Sequence, residues 1–371
     1  IIPRVKPDII HCNDWMTGLI PAEAKKLGIP TLFTIHNIHT QEATLAQLEN
    51  TGIPAGDFWD ELYFGSYPEG FDESYWTNPI DLLASGISAA THTNVVSPTF
   101  LDEVAMGHHP TIPSHLSHLL YHKREAGVAS GIVNAPDRSF NPQIDPYLPE
   151  EYGPRRHHTI KPKLKKDLQK RLLLKEDPSV PILFWPSRLD PIQKGCSLLA
   201  DILFQLINDY NHLGLQIVMI ADGPYQQHFQ GIVAHHGISD RIAVQPFSES
   251  LSHLGYGGSD FVLMPSSFEP CGLPQMIGCR YGSLPIAHAT GGLKDTVRHL
   301  NIHENTGNGF LFEHFTTDGF RWAIDQAMEF YQLSPDHKNP QIKRIMEQSK
   351  EDFSDERVVA DYQKLYNDLV N

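Results

Sequence analysis

Short apolar runs alternate with longer amphipathic stretches along much of the chain. The first run ends in polar residues at 13–14, a helix-like stretch follows to about Leu27, and a second run covers 31–35. Further on, the apolar run 93–96 is followed by Ser97 and Pro98, which suit an N-cap and a first helical position. Strands that alternate with helices at this spacing predict βαβ units and a parallel sheet.

The alternation pauses between Asn134 and Pro162, where the chain is rich in Pro, Arg and His and has no clear period. It then resumes with six apolar runs, enough strands for a complete doubly wound domain. The pattern predicts an α/β protein of two Rossmann-like doubly wound domains, at 1–155 and 156–345, with a terminal helix over 346–371 that crosses back to the first. The six runs lie near 181–186, 215–220, 241–245, 260–264, 284–288 and 309–313.

The first domain is predicted to be incomplete. The same pattern indicates only three or four strands there, and a sheet cut in this way would leave an unpaired edge. The chain also opens at Ile1 without a methionine. We therefore expect the natural N-terminus to lie upstream of this sequence.

Composition narrows the classes of function. Of the 371 residues, 40% are hydrophobic and 20% charged, which is typical of a soluble globular protein. A net charge of −15 disfavours a nucleic-acid partner, because affinity for phosphate backbones rests on Lys and Arg, but it does not disfavour a neutral glycan. No apolar run approaches the roughly 18 residues of a membrane span. The four cysteines are widely spaced without a CxxC pair, which indicates reduced thiols in a cytoplasmic protein.

Polar residues and glycines follow several predicted strands in both halves of the chain. Ligands of open parallel sheets gather at the carboxyl ends of the strands. Taken singly, each residue is better explained as a solvated side chain or a helix cap, but their shared position at strand ends in both halves favours a ligand site. They are Asp14, His36, Asn37, Arg188, Lys194, Glu269, Thr290, Gly291 and Gly292.

This set of residues suits group transfer from a sugar nucleotide. A leaving diphosphate needs fixed positive charge, which Arg188 and Lys194 can supply. Gly291 and Gly292 precede a helix-like stretch and would present bare backbone amides to phosphate. Glu269 can accept hydrogen bonds from paired sugar hydroxyls, and we expect a helix to open directly after it, at Pro270.

Six segments, in order, resemble the motif series of glycogen and starch synthases. The resemblance runs from about Asp8 to Phe312, and its last two elements are highly specific for this family. The segments are HCNDW (11–15), TIHN (34–37), VSPT (96–99), SRLD with QKG (187–190 and 193–195), FEPCGL (268–273) and ATGGLKDTV (289–297).

The resemblance implies a two-domain GT-B fold and a retaining glucosyltransferase. The family transfers glucose from ADP-glucose to the non-reducing 4-hydroxyl end of an α-1,4-glucan, so these two molecules are the expected partners. No metal or other cofactor is implied. By the same resemblance, Arg188 and Lys194 hold the diphosphate and stabilise its developing charge, and Glu269 binds hydroxyls of the nucleotide sugar.

The remaining site residues also come from the resemblance. His36 would face the reacting glucose from the opposite domain, and the backbone after Cys271 would approach the sugar. The other members of the predicted site are Asp14, Asn37, Asn134, Gly272, Leu273, Thr290, Gly291 and Gly292.

The sequence departs from the family pattern at several places. The family's Lys-Thr-Gly-Gly element is not in this sequence, so we expect the 371-residue chain alone to lack synthase activity. Ser267 replaces a common arginine, Ala135 replaces a glycine, and one extra residue separates Arg188 from Lys194. These changes leave two alternatives open: a non-catalytic glucan-binding homologue, or a GT-B transferase for a UDP-sugar or another acceptor. Ile277, where related transferases carry a second glutamate, favours the synthases.

Two groups of His and Lys residues lie outside this motif series. His115, His118 and His122 share one face of a predicted helix, which zinc sites also do, but no Cys or carboxylate accompanies them in sequence. We therefore interpret them as a solvated or partly packed face. The basic run 161–175 is interpreted as an exposed helix, with contact to an anion or a glucan as the alternative.

Overall fold

The computed structural model describes residues 2–370. The strands of this part are β1 (Ile10–Asn13), β2 (Thr31–Ile35), β3 (Glu42–Ala43), β4 (Ile80–Asp81), β5 (His92–Val95), β6 (Ala129–Gly131), β7 (Ile182–Trp185), β8 (Gln216–Ile220), β9 (Ile242–Gln245), β10 (Phe261–Met264), β11 (Leu284–His288) and β12 (Phe310–Phe312). The helices are α1 (Ile2–Val5), α2 (Ile20–Lys26), α3 (Leu45–Asn50), α4 (Phe71–Thr77), α5 (Leu82–Ala89), α6 (Pro98–Ala105), α7 (Ser114–Glu125), α8 (His157–Arg171), α9 (Cys196–Asp209), α10 (Gln226–His236), α11 (Glu249–Gly258), α12 (Pro274–Tyr281), α13 (Gly291–Thr296), α14 (Thr317–Tyr331), α15 (Pro335–Asp352) and α16 (Asp355–Val370).

The chain forms two compact units, of which the first comprises 1–133 and 358–371. Its main sheet has four parallel strands in the order β1-β2-β5-β6, and β3 pairs antiparallel with β4. All five residues of β2 are buried, as expected for a strand covered on both faces. The predicted cap of α6 is confirmed, because the Ser97 hydroxyl accepts a hydrogen bond from the Phe100 amide at 2.9 Å.

The second unit, 134–357, contains a six-stranded parallel sheet in the order β12-β11-β10-β7-β8-β9. From β7 the chain first adds β8 and β9 on one side, and then adds β10, β11 and β12 on the other. The strand order therefore reverses between β7 and β10, where Leu183 pairs with Phe261. In open parallel sheets this reversal leaves a crevice at the carboxyl ends of the two strands, which is the usual place for a ligand.

The observed boundary between the units differs from the predicted one. We placed it between residues 155 and 156, but residues 134–155 belong to the second unit. The segment has no helical or strand period, yet it anchors itself through single buried side chains. Leu148 and Tyr152 join the core of the second unit, and the Tyr152 hydroxyl donates to the Tyr281 carbonyl at 2.7 Å.

The terminal segment is also divided differently from the prediction. Residues 346–357 stay with the second unit, and only 358–370 of the described chain join the first. Within that first unit, the Tyr366 hydroxyl lies 2.7 Å from His11 Nδ1, and Asn94 Nδ2 donates to the Tyr362 hydroxyl at 3.1 Å. Two tyrosines one helical turn apart therefore attach α16 to the polar groups of β1 and β5.

The prediction of an exposed helix for the basic run is confirmed on one face, where Lys163, Lys166, Lys170 and Arg171 are exposed, but it is wrong for the opposite face. The run forms α8, but Lys161 and Lys165 are only 7% and 3% exposed. Lys161 donates to the Gly257 carbonyl of α11, and Lys165 donates to the Val180 carbonyl, which precedes β7, and to Asp260. Elsewhere, none of the described helices has the length and apolar character needed to cross a membrane.

Candidate functional site

Three neighbouring strands of the second sheet carry most of the predicted site. β7, β10 and β11 are adjacent and parallel, so the loops that follow them leave the same edge of the sheet. The loop after β7 carries Arg188 and Lys194, the loop after β10 carries Glu269, and Thr290 follows β11. The edge lies at the reversal of strand order described above, where ligands of such sheets bind.

A nearly buried ion pair lies at the centre of this edge. Lys194 Nζ is 2.6 Å from Glu269 Oε2, and the Ser266 hydroxyl donates to the same carboxylate oxygen at 2.9 Å. The Ser266 carbonyl in turn accepts from His288 Nδ1 at 2.8 Å, which links the ends of β10 and β11. Among the described residues, Glu269 Oε1 makes no hydrogen bond. One carboxylate oxygen is thus fixed by protein groups, and the other is available to a hydroxyl.

The backbone around Glu269 is held differently from our prediction. The Gly292 amide donates to the Glu269 carbonyl at 3.0 Å, so it is not a bare donor for phosphate. The contact is close: a Cβ added at Gly292 would lie 2.1 Å from the Cys271 carbonyl oxygen. The next helix, α12, begins at Pro274 and not at Pro270. The Glu269 carboxylate is therefore positioned by Lys194 and Ser266 and not by a helix N-terminus.

The residues that follow Glu269 line this backbone junction. Cys271 is buried, which raises the pKa of its thiol to about 12, and the Asn134 backbone lies within hydrogen-bonding reach of its sulfur. Thr290 is also buried, whereas Leu273 is exposed at the surface. Gly272 has a φ of +71°, a conformation that L side chains rarely adopt. A neutral buried thiol suits a packing role. We therefore interpret Cys271 as a small packing residue that leaves the backbone after it accessible to a ligand.

Arg188 lies at the same edge of the sheet but takes no part in the ion pair between Lys194 and Glu269. Its side chain is exposed, and within residues 2–370 its guanidinium makes no ion pair or hydrogen bond. The adjacent Leu189 is fully buried and its amide donates to the Asp222 carbonyl at 2.9 Å, which fixes the backbone that carries Arg188. A cation on an ordered backbone with no protein partner is available to an anionic ligand.

In the first unit, Asp14 and His36 follow the adjacent strands β1 and β2. Asp14 is 8% exposed, and its Oδ1 accepts from the His36 amide at 2.8 Å. Its φ of +55° is uncommon for a residue with a side chain, and such conformations concentrate at functional sites. Asn37 is exposed, and its Oδ1 accepts from the His39 amide at 2.8 Å. Asp14 therefore holds the backbone of His36, and Asn37 turns the chain after it.

Asn13 is a site residue that our sequence reasoning missed. Its Oδ1 lies 2.9 Å from Nε2 of His36. Because an amide oxygen only accepts hydrogen bonds, Nε2 must carry the proton, and the ring is fixed in one orientation. Asn13 and Ser266 both stand at the ends of predicted strands, but nothing in the sequence distinguishes them from other polar residues in such positions. Their partners lie 23 and three residues away and become evident only in the fold.

The histidines of α7 do not converge on a metal site. His115 Nε2 lies 2.9 Å from Asp81 Oδ2, and its ring stacks on Tyr63 at a centroid distance of 5.5 Å. In the part of the chain that the structure describes, no group of three His, Cys, Asp or Glu is placed to hold a metal ion. His115 therefore has a packing role against Asp81 and Tyr63.

Comparisons with known proteins cover nearly the whole chain. Residues 1–119 match the family described as starch synthase catalytic domain, and residues 166–343 match glycosyl transferases group 1. A glycogen synthase of Exiguobacterium sibiricum is 35% identical over 374 residues, which cover 97% of this chain and 72% of that protein. A glycogen synthase of Lachnospira eligens is 34% identical over 378 residues, covering 98% and 74% of the two chains.

A solved structure is similar over the same extent. The catalytic domain of starch synthase IV from Arabidopsis thaliana, bound to ADP and acarbose, superposes with a TM-score of 0.83 at 28% identity. The match covers 100% of this chain and 74% of that one. A sucrose-phosphate synthase from Thermosynechococcus elongatus, at 18% identity and a TM-score of 0.59, shares the fold.

Proposed function

The chain belongs to the glycogen synthase family of glycosyltransferases, with the two Rossmann-like units of the GT-B fold, and from this premise we propose the reaction that the full-length protein catalyses. It transfers glucose from ADP-glucose to the non-reducing 4-hydroxyl end of an α-1,4-glucan, with retention at the anomeric carbon. The observation that carries the proposal is that the Lys194–Glu269 ion pair and the exposed Arg188 follow neighbouring strands at one edge of the second sheet.

Two cations serve the leaving diphosphate. As the bond between the anomeric carbon and the diphosphate oxygen breaks, negative charge develops on that oxygen, and fixed cations stabilise it. Lys194 is held in place by its 2.6 Å contact with Glu269, so little reorganisation is needed when the charge appears. The Arg188 guanidinium, which has no ion-pair partner among the described residues, can bind phosphate oxygens through two parallel hydrogen bonds.

Glu269 orients the donor sugar. Its Oε2 is occupied by Lys194 and Ser266, and its Oε1 accepts a hydrogen bond from a hydroxyl of the donor. The backbone from Cys271 to Leu273, with Thr290, Gly291 and Gly292 beside it, approaches the same sugar. The hydrogen bond from the Gly292 amide to the Glu269 carbonyl holds the segment after Glu269 against the segment that contains Gly291 and Gly292.

In the first unit, His36 contacts the reacting glucose. Asn13 holds its Nε2 and Asp14 holds its amide, so the ring presents one defined face and one protonation pattern. Asn37, and Asn134 at the start of the second unit, supply further polar contacts to the sugar. Asp14 is buried, and its carboxylate is used within the protein to hold His36 in place.

Initial rates with two donors test the proposal. Labelled ADP-glucose and UDP-glucose are each incubated with glycogen and the full-length protein, and the product is digested to identify the linkage. We expect incorporation from ADP-glucose to be the faster reaction, with new α-1,4 linkages. Faster incorporation from UDP-glucose would replace the nucleotide that we propose. Affinity for glycogen without incorporation from either donor would indicate a non-catalytic homologue.

A further inference from the structure

A cavity lies at one end of the six-stranded sheet of the second unit. This end is opposite to the edge that carries the candidate site. The volume of the cavity is about 390 Å³, within the range of small-molecule sites. Pro178, Asp260 and Gly282 line it, and these residues precede β7, β10 and β11, whose carboxyl ends carry the candidate site. Helices α8, α14 and α15 contribute the other walls. The cavity is thus separated from the transfer site by the length of the strands.

Three lysines line this cavity against a single carboxylate. Lys165 is paired with that carboxylate, Asp260, at 2.6 Å. Among the described residues, the oxygens to which Lys161 donates are all neutral, namely those of Tyr256, Gly257, Tyr281 and Ser283. Lys338 donates to the Tyr331 carbonyl at 2.7 Å and lies 4.3 Å from the centre of the Tyr331 ring. In a chain with a net charge of −15, the cavity carries a local surplus of positive charge.

Asp260 acts on all three lysines but supplies only one negative charge for them. Within residues 2–370, neither Lys161 nor Lys338 has a carboxylate at ion-pair distance. Burial lowers the pKa of Lys161 to about 7 and also lowers the pKa of Lys338. Buried ammonium groups that meet only carbonyls and an aromatic face are more stable as cations when an anion approaches them.

His157 adds an unused acceptor to the same lining. Its Nδ1 donates to the Pro154 carbonyl at 2.8 Å, and burial lowers the pKa of the ring to about 4, so Nε2 is an acceptor at neutral pH. The residue is 3% exposed, and within the described chain Nε2 has no hydrogen-bond partner. Asn339, on the same wall, lies beside the ring without an aligned hydrogen bond to that nitrogen. A buried acceptor of this kind is stabilised by a donor such as a hydroxyl.

We propose that this cavity binds a small anion that carries hydroxyl groups, of the class of a phosphorylated polyol. The anionic group meets Lys338, with the buried charge of Lys161 nearby, and a hydroxyl donates to Nε2 of His157. Phe261, Phe330 and Ile342 contribute apolar walls beside these contacts, and a lower local dielectric strengthens them. The cavity is a second ligand site of the protein, distinct from the site of glucosyl transfer.

Calorimetric titration of the full-length protein tests the proposal. The protein is first saturated with ADP, so that phosphate groups do not enter the donor site, and is then titrated with glycerol 3-phosphate, inorganic phosphate or glycerol. We expect glycerol 3-phosphate to bind at least about tenfold more tightly than phosphate, and glycerol not to bind. Equal affinity for the two anions would overturn the role of His157. The absence of binding by both would overturn the site.

Two variants place the binding in the cavity. Lys338→Gln should weaken glycerol 3-phosphate binding by about tenfold or more, whereas Lys343→Gln, on the exposed face of the same helix, should leave it within about twofold. Asn339→Asp keeps the side-chain size and adds a negative charge to the wall, and it should weaken binding even if Lys338→Gln is poorly folded. Unchanged affinity in both variants would show that the anion binds elsewhere. These comparisons do not depend on turnover, so they remain decisive if the proposed transfer reaction is wrong.

Discussion

Lys194 and Glu269 form an ion pair of 2.6 Å, with only 11% and 7% of their side chains exposed, at the edge where the strand order of the second sheet reverses. Removing one member of such a pair leaves the other charge in a site that water scarcely reaches. The pair therefore couples stability to the proposed chemistry, whereas the exposed Arg188 does not. This difference separates the first two predictions, which concern the full-length protein.

Glu269→Gln should lower kcat by roughly 10²–10³, because the amide holds Lys194 and the donor sugar less well. The free energy of unfolding should also fall, by about 1–3 kcal/mol, since a buried charged hydrogen bond is weakened. Steady-state kinetics and a denaturant melt on the same variant measure both effects. Glu313→Gln, an exposed carboxylate just after β12, is the matched control and should change neither. A lower stability with normal kcat would leave Glu269 a purely structural role.

Arg188→Ala should lower kcat/KM for ADP-glucose by roughly 10²–10³, as expected when one fixed donor to developing charge is removed. Its stability should stay within about 0.5 kcal/mol of the parent protein, because the side chain is exposed. Arg171→Ala, on the exposed end of α8, serves as the control. A loss below about threefold in kcat/KM would be inconsistent with a diphosphate contact.

Asn13→Ala should lower kcat by roughly 10–100-fold, because the His36 ring loses the partner that orients it. Asn13→Asp retains an oxygen acceptor at the same position and should restore most of the activity. It should also shift the pH profile of kcat, since a carboxylate stabilises the charged form of the ring. If alanine and aspartate reduce kcat equally, Asn13 does not act through the hydrogen bond to His36.

Gly292→Ala should destabilise the protein by about 1–3 kcal/mol, because its Cβ would lie 2.1 Å from the Cys271 carbonyl oxygen. Gly231→Ala is the matched control, since an added Cβ there has no neighbour within 4 Å and the residue lies inside α10. That change should stabilise the protein by about 0.5–1 kcal/mol. Equal melting temperatures for the two variants would argue against the close contact between Gly292 and Cys271.

Lys161 should impose a pH dependence on stability in the alkaline range. Burial lowers its pKa to about 7 in the folded protein, whereas an unfolded lysine keeps a pKa near 10.4. Between these values the unfolded chain binds more protons, so the free energy of unfolding should rise from about pH 7 to pH 10 and show no Lys161-dependent slope below that window. Lys161→Met should remove this rise, and Lys163→Met, an exposed neighbour, should keep it. Parallel slopes for the two variants would contradict the shifted pKa.

The pattern of apolar runs by itself determined the strands of the second sheet. Runs predicted near 215–220, 260–264 and 284–288 correspond to β8, β10 and β11 within one residue. This agreement has a simple cause, since strands covered on both faces are apolar throughout and are bounded by polar turns. The same pattern placed Arg188, Glu269 and Thr290 after strands. Which residues follow a buried strand is determined by the local sequence alone.

Only the tertiary structure decided which polar groups meet. The sequence does not contain the order of the strands, and therefore not the adjacency of β7 and β10 that brings Lys194 to Glu269. The Gly292 amide, expected to be bare, is occupied by the Glu269 carbonyl for the same reason. Residues 134–155 join the second unit through isolated buried side chains, and such side chains produce no helical or strand periodicity in the sequence. Backbone periodicity is encoded by neighbours along the chain, whereas hydrogen-bond partners and burial depend on residues that folding brings together from far apart.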